Sequence, residues 1–146
     1  MTQIEALEIA DNWKYPGEYS FYDVTADEED YTEYINPDSR GDKFFSCFVN
    51  NILSAYYTVS IMDDTAELGV GMRPDLTGKG YGLDFVNAVM DHITSRYAVA
   101  GFMLIVAVFN QRAIKVYKKA GFTEKDFFMQ KTNGGEYEFL RMEKKL

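Results

Sequence analysis

The chain has one cysteine and one histidine among its 146 residues. A single cysteine excludes a disulfide scaffold and a cysteine zinc site. A single histidine excludes any site that needs two. Three prolines and 11 glycines are too few for a collagen-like repeat. No apolar run approaches the ~18 residues of a membrane span. The opening residues, MTQIEALEIADNW, have neither the basic region nor the hydrophobic run of a secretory leader. These absences predict one cytoplasmic domain, residues 1–146, with no metal and no membrane association. Aromatic residues, by contrast, are abundant: 11 Tyr, 11 Phe and one Trp make up 16% of the chain, which excludes a disordered or low-complexity polymer.

The net charge is −8, unevenly spread. Residues 1–72 hold 3 basic and 15 acidic groups, a net −12, and residues 73–146 hold 12 basic and 8 acidic groups, a net +4. Nucleic acid is excluded as a partner for so acidic a chain. The division suits a cationic ligand on the first half and an anionic one on the second. Taken alone, it is equally the pattern of a solvated surface.

Ile4, Leu7, Ala10 and Trp13 predict a helix over 3–13. The aromatic loop KYPGEYSFYD follows. A second helix is expected to open at Thr25, with Glu28 completing a capping box, an acidic first turn and Tyr31, Tyr34 and Ile35 as its buried stripe. Asn36-Pro37 ends it. The period then changes to that of strands. Lys43–Val49, Leu53–Ile61 and Ala66–Met72 read as a three-strand meander joined by turns at Asn50-Asn51 and Asp63-Asp64. On the second of these, Leu53, Ala55, Tyr57, Val59 and Ile61 share one face. A helix over Tyr81–Tyr97, a buried strand over Phe102–Phe109, a helix capped by Asn110 and stopped by Gly121, and two strands around Asn133-Gly134-Gly135 complete the chain. His92 is expected to be an exposed polar helix residue with no second histidine to partner it, and Cys47 a small core residue.

Two constellations carry chemistry. The first, Thr77-Gly78-Lys79-Gly80-Tyr81-Gly82, lies between a strand and a helix. Its glycines let backbone N–H groups converge at a helix start, which suits phosphate. Neither a Walker loop nor a dinucleotide fingerprint fits, because Gly80 follows Lys79 and Leu83 stands where a third spaced glycine is needed. A flexible loop without a ligand is the plain alternative. The second is Asn110-x-x-Ala113-x-x-x-Tyr117-x-x-x-Gly121-Phe122. Ala113, Tyr117 and Gly121 share a helix face, and Tyr117 taken alone is more often a core aromatic with a wet tip than a catalyst.

Together these two runs, with Glu67–Met72 and Pro74 before them, resemble the GNAT superfamily of acyl-CoA-dependent N-acetyltransferases. The element order over residues 43–146 agrees, and residues 1–42 resemble the family's variable acceptor-side helices. The resemblance implies an α/β (α+β) GNAT fold: a mixed, mostly antiparallel sheet, splayed after the acyl-CoA-binding strand and flanked by about four helices. It implies transfer of an acetyl group from acetyl-CoA, a co-substrate, to a primary amine on a small cation, a lysine or a peptide N-terminus. Backbone at Val70 and Met72 would bind the acyl group and the pantetheine arm. Thr77, Gly78, Lys79, Gly80, Tyr81 and Gly82 would hold the pyrophosphate, and Asn110 and Ala113 would lie along the arm. Tyr117 would donate a proton to the departing thiolate, and Glu67 would act as base. Glu67 reads equally as a surface carboxylate or as an ion-pair partner of Arg73 or Lys79. Trp13, Tyr15, Tyr19 and Tyr22 would line the acceptor entrance, or else seal the core.

Two positions depart from the family pattern. Thr77 replaces the usual Arg or Gln, which leaves Lys79 or Arg112 to compensate. It also favours, as the alternative reading, an acyl-CoA-binding or sensor module with little catalysis. The first edge strand is expected to be short or absent, leaving an edge for a partner to cover. A homodimer is the commonest assembly.

Overall fold

A computed structural model describes all residues, 1–146. Helix α1 (Gln3–Asn12) opens on a capping box between Thr2 and Glu5. Its buried stripe is Ala6, Ile9 and Ala10, continued by Trp13, while Ile4 is 81% exposed. The expected stripe through Ile4 and Leu7 is therefore rotated. Two alanines let the helix settle closely on the sheet, and the larger Ile4 turns outward. Helix α2 (Glu28–Ile35) is capped by Asp27, whose carboxylate accepts from Asp30 N, and not by Thr25. Thr25 falls within a short 3-10 turn, Val24–Ala26. Asn36 then caps α3 (Pro37–Arg40), a single turn.

Six strands follow in the spatial order β1-β2-β3-β4-β6-β5. Strands β1 (Phe44–Val49), β2 (Ile52–Met62) and β3 (Thr65–Met72) form the meander. Asn50 and Asn51 both take positive φ, 51° and 65°, as a two-residue turn matched to strand twist requires. Helix α4 (Gly82–Arg96), β4 (Gly101–Ala107), α5 (Gln111–Lys119), β5 (Thr123–Thr132) and β6 (Gly135–Lys145) complete the chain. No strand precedes α1, so β1 has only β2 beside it and forms a free edge. Five α-helices flank the sheet, one of them the single turn α3.

Strand β2 divides the core between the two sheet faces. Tyr57 and Val59 pack with Val86, Val89, Met90 and Ile93 of α4 in the larger cluster. Tyr56 and Leu53 pack with α1 and with Tyr34 of α2 in the smaller one. Leu53 was expected on the face of Tyr57. The register slips between Cys47 and Phe48, leaving Ser54 outside the pairing, and this added residue turns Leu53 to the other face.

His92 is exposed, as expected; its Nδ1 is hydrogen-bonded to the Tyr57 hydroxyl, and its ring meets Phe45 edge-on at 5.5 Å. Cys47 is half-buried, and burial pushes its thiol up to about 11, which keeps it protonated and inert at neutral pH. No helix is long and apolar enough to cross a membrane.

Candidate active site

The site begins where β3 and β4 part. They run parallel, which is why a helical crossover must join them. They pair only at Thr65–Glu67 opposite Gly101–Met103. Beyond that point β3 from Leu68 to Met72 keeps β2 on one side and has no strand on the other. Val70 and Met72 lie in this splayed segment, and Glu67 stands at its apex. Strand alternation sets Glu67 on the face of Gly69 and Gly71, opposite Ala66 and Leu68 of the larger core. It makes no side-chain hydrogen bond and no ion pair. Arg73, one of its suggested partners, instead binds Asp75 at 2.6 Å and donates to Leu53 O.

Tyrosines close the cleft from several elements. Tyr15 donates its hydroxyl hydrogen to Met72 O at 2.7 Å, while its backbone N–H is held by Asp23. Tyr22 reaches the opposite wall, where its hydroxyl accepts from Ala107 N at 3.2 Å. Tyr19, Phe21 and Tyr22 all pack on Phe109, just past the end of β4. Trp13 does not join them. It is 3% exposed, lying against Tyr56 in the smaller core at 6.1 Å, and so takes the sealing role. Tyr56, which the sequence reading passed over, crosses β3 at Gly71. A Cβ at Gly71 would lie 2.5 Å from its Cζ and 2.8 Å from its hydroxyl. The signal was present in the sequence: glycines at alternate positions 69 and 71 clear one strand face for larger neighbours.

Tyr117 comes from α5, edge-on to Phe122 at 6.0 Å. Burial pushes its phenol far above the usual range, and Tyr22 and Tyr56 add to the shift. The group is therefore a neutral O–H donor at pH 7. Asn110 caps α5 by accepting from Ala113 N at 3.2 Å, so the side chains of the second motif first hold their own helix in place.

The glycine loop leads from β3 into α4. Gly78 and Gly80 take φ of +71° and +86°, conformations that favour glycine. Gly82 is small for packing, because a Cβ there would meet Val116 of α5 at 3.2 Å. Tyr81 precedes α4 without a side-chain cap, so the first N–H groups of the helix keep no side-chain acceptor. The Thr77 hydroxyl donates to Pro74 O, which turns it away from the loop. Arg112 lies beside the loop: its Nη1 is 3.1 Å from the Cβ position of Gly78, and its guanidinium lies 4.3 Å over the Tyr19 ring. Lys79 is exposed on the loop. A separate groove of about 780 Å³ runs between the β1–β2 hairpin and α4. It shares Met72 and Tyr81 with the site but follows the opposite sheet face.

The fold recurs in solved structures. A chimera of the Vibrio cholerae spermidine N-acetyltransferase SpeG with hSSAT shares 19% identity, covering 99% of this chain and 92% of its own, with a TM-score of 0.76. The ribosomal-protein-alanine N-acetyltransferase from Brucella melitensis shares 16%, covering 100% and 97%, with a TM-score of 0.73. The microcin C7 self-immunity acetyltransferase MccE, solved with acetyl-CoA and AMP, shares 17% over 81% of this chain and 71% of its own, with a TM-score of 0.62. No curated protein matches the chain in sequence. The acetyltransferase (GNAT) family model matches residues 5–122, and with the splayed sheet, the glycine loop and the helix carrying Tyr117 lying within that span, the chain belongs to the acetyltransferase (GNAT) family.

Proposed function

We propose that the chain transfers the acetyl group of acetyl-CoA to a primary amine. The observation that carries this reading is the parting of β3 from β4 after Glu67, with Tyr56 crossing β3 at Gly71 and Tyr22 bonded to Ala107 at the end of β4. The residues present fit acetyl-CoA: the glycine loop supplies uncapped N–H groups, Arg112 of α5 adds a guanidinium, and β3 beyond Glu67 supplies an edge with no neighbouring strand, where Tyr15 holds Met72 O. Acetyl-CoA brings an acyl group activated as a thioester.

The chain's residues then have distinct tasks. Backbone N–H groups from Gly78 to Gly82, with Arg112 and Lys79, hold the pyrophosphate. The free edge of β3 at Val70 and Met72 pairs with the pantetheine arm as a neighbouring strand would. Asn110 and Ala113 line the arm. Tyr117, kept protonated by burial, donates its proton to the thiolate as the thiol leaves. Glu67, at the apex and free of ion pairs, accepts the proton that the amine must lose. Tyr15, Tyr19 and Tyr22 close the acceptor side. The acceptor is a small cationic amine, a lysine or a peptide N-terminus.

A thiol-release assay with acetyl-CoA and a panel of amines tests the reading, run beside calorimetry of acetyl-CoA binding. Transfer that drops about 10²–10⁴-fold in Tyr117→Phe, with binding retained, supports it. Acetyl-CoA binding without transfer to any amine would instead leave a binding or sensor module, the reading that Thr77 favours.

A further inference from the structure

The segment before α2 straddles the gap between β3 and β4. Tyr15 is tied to one lip, where its hydroxyl donates to Met72 O of β3 at 2.7 Å. Tyr22 is tied to the other, where its hydroxyl accepts from Ala107 N of β4 at 3.2 Å. Between these ties runs a 3-10 turn, Gly17–Tyr22, opened by Gly17 at a φ of +58°. Tyr19 belongs to this strap. It is half-buried, with its ring 6.1 Å from that of Phe109. The two tied ends and Phe109 together fix the place of the ring.

Arg112 uses that ring. It stands in the first turn of α5, just past the Asn110 cap. Its guanidinium carbon lies 4.3 Å over the centre of the Tyr19 ring, and its Nη1 is 3.1 Å from the Cβ position of Gly78. It joins none of the five ion pairs. The strap and the glycine loop therefore meet at one guanidinium. What the group does there follows from its shape. Its flat face is weakly hydrated and stacks on an aromatic ring, while all of its N–H donors lie along its edge. A carboxylate partner would take that edge. A ring takes the face and leaves the edge for phosphate oxygens. The stack also prepares the side chain. An exposed arginine loses rotamer freedom on binding a ligand, and one already held over a ring loses less.

We propose that Tyr19 is a positioning residue for the pyrophosphate site: its ring holds the Arg112 guanidinium beside Gly78, with the N–H edge free for phosphate oxygens. Acetyl-CoA affinity then depends on the strap that closes the acceptor side, and Tyr19 serves both substrates, as a wall for one and through Arg112 for the other. Whatever shifts the strap shifts the ring, and the guanidinium with it. The inference rests on the acetyl-transfer reading for the identity of the ligand.

The test measures binding by calorimetry for the wild-type chain, Tyr19→Leu, Tyr19→Phe, Arg112→Ala and the double variant of Tyr19→Leu with Arg112→Ala. The probes are acetyl-CoA and S-acetylpantetheine, which keeps the thioester and the arm but has no pyrophosphate. Tyr19→Leu should weaken acetyl-CoA about three- to tenfold and leave S-acetylpantetheine unchanged. Tyr19→Phe keeps the ring and should bind acetyl-CoA as the wild type does. In the Arg112→Ala background, Tyr19→Leu should add nothing further. An equal loss in both backgrounds, or an equal loss for both probes, would overturn the inference and leave Tyr19 as a wall alone. Acetyl-CoA affinity that is the same in Tyr19→Leu and the wild type would overturn it as well. Failure of the acetyl-transfer reading looks different: acetyl-CoA binds with Tyr19 and Arg112 coupled, yet no amine releases thiol.

Discussion

Gly71→Ala isolates the contact on which the acceptor side is built. The φ of Gly71 is not positive, so alanine suits the backbone there and would by itself stabilise by up to about 1 kcal/mol through the unfolded chain. Tyr56 reverses that sign. The new Cβ would stand 2.5 Å from Cζ and 2.8 Å from the hydroxyl, where a carbon contact settles at ~3.5–4.0 Å, so the ring must move by about 1 Å. Trp13 at 6.1 Å and Tyr34 at 5.6 Å hold the ring from either side, which makes the movement an overpacking cost of about 1–3 kcal/mol. For a chain of this length that is a fall in Tm of roughly 3–10 °C. Thermal denaturation of Gly71→Ala, Tyr56→Leu and the double variant gives the coupling directly. In the Tyr56→Leu background alanine at 71 should be neutral or stabilising. An equal loss of Tm in both backgrounds, or no loss in either, would refute the assignment of Gly71 to the passage of Tyr56.

Other perturbations reach the remaining parts. Arg112→Ala removes the guanidinium beside Gly78 and should weaken acetyl-CoA about tenfold by calorimetry, the equivalent of ~1.4 kcal/mol; unchanged affinity would mean that Lys79 and the backbone suffice. Asp30 is held above the usual carboxylate range by desolvation and by Asp27, Glu33 and Glu29. A raised pKa favours the folded state at low pH and loses that contribution as pH rises through it, so at pH 7 the charged Asp30 opposes folding. Asp30→Asn should therefore raise Tm at pH 7 and leave it nearly unchanged near pH 3. Calorimetric scans across that range check it, and a pH-independent difference would count against the reading. Asn51 sits at a φ of +65° in the β1–β2 turn, so Asn51→Ala should cost about 1 kcal/mol in a urea titration, while Asn51→Gly should not.

Sequence and structure contributed differently to the two halves of the site. The glycine loop, Asn110 and Tyr117 were legible because their jobs are local. Positive φ at Gly78 and Gly80, a cap that reaches three residues along its own helix, and a hydroxyl on a four-residue spacing are all short-range features of the chain. The turn at Asn50-Asn51 was legible for the same reason. The acceptor side was not. Tyr15 binds Met72 from 57 residues away, and Tyr22 binds Ala107 from 85. No local pattern encodes which of many aromatic residues will meet a given strand. The stripe of α1 was misplaced because burial there follows how closely alanines let the helix settle, not which side chain is most apolar. Leu53 was misplaced because one unpaired residue, Ser54, puts it on the opposite face from the Ala55–Ile61 alternation that follows.

By itself, then, the sequence determined the strand and helix order, the glycine loop before α4 and the helix that carries Tyr117, since each depends on residues within a few positions of one another. The tertiary structure alone decided which strands Tyr15 and Tyr22 reach, that Arg112 lies beside Gly78, and how Tyr56 comes to cross Gly71. Those contacts arise only when α1 and α2 pack across β2 and β3, and packing of that kind is a property of shapes meeting at a distance along the chain.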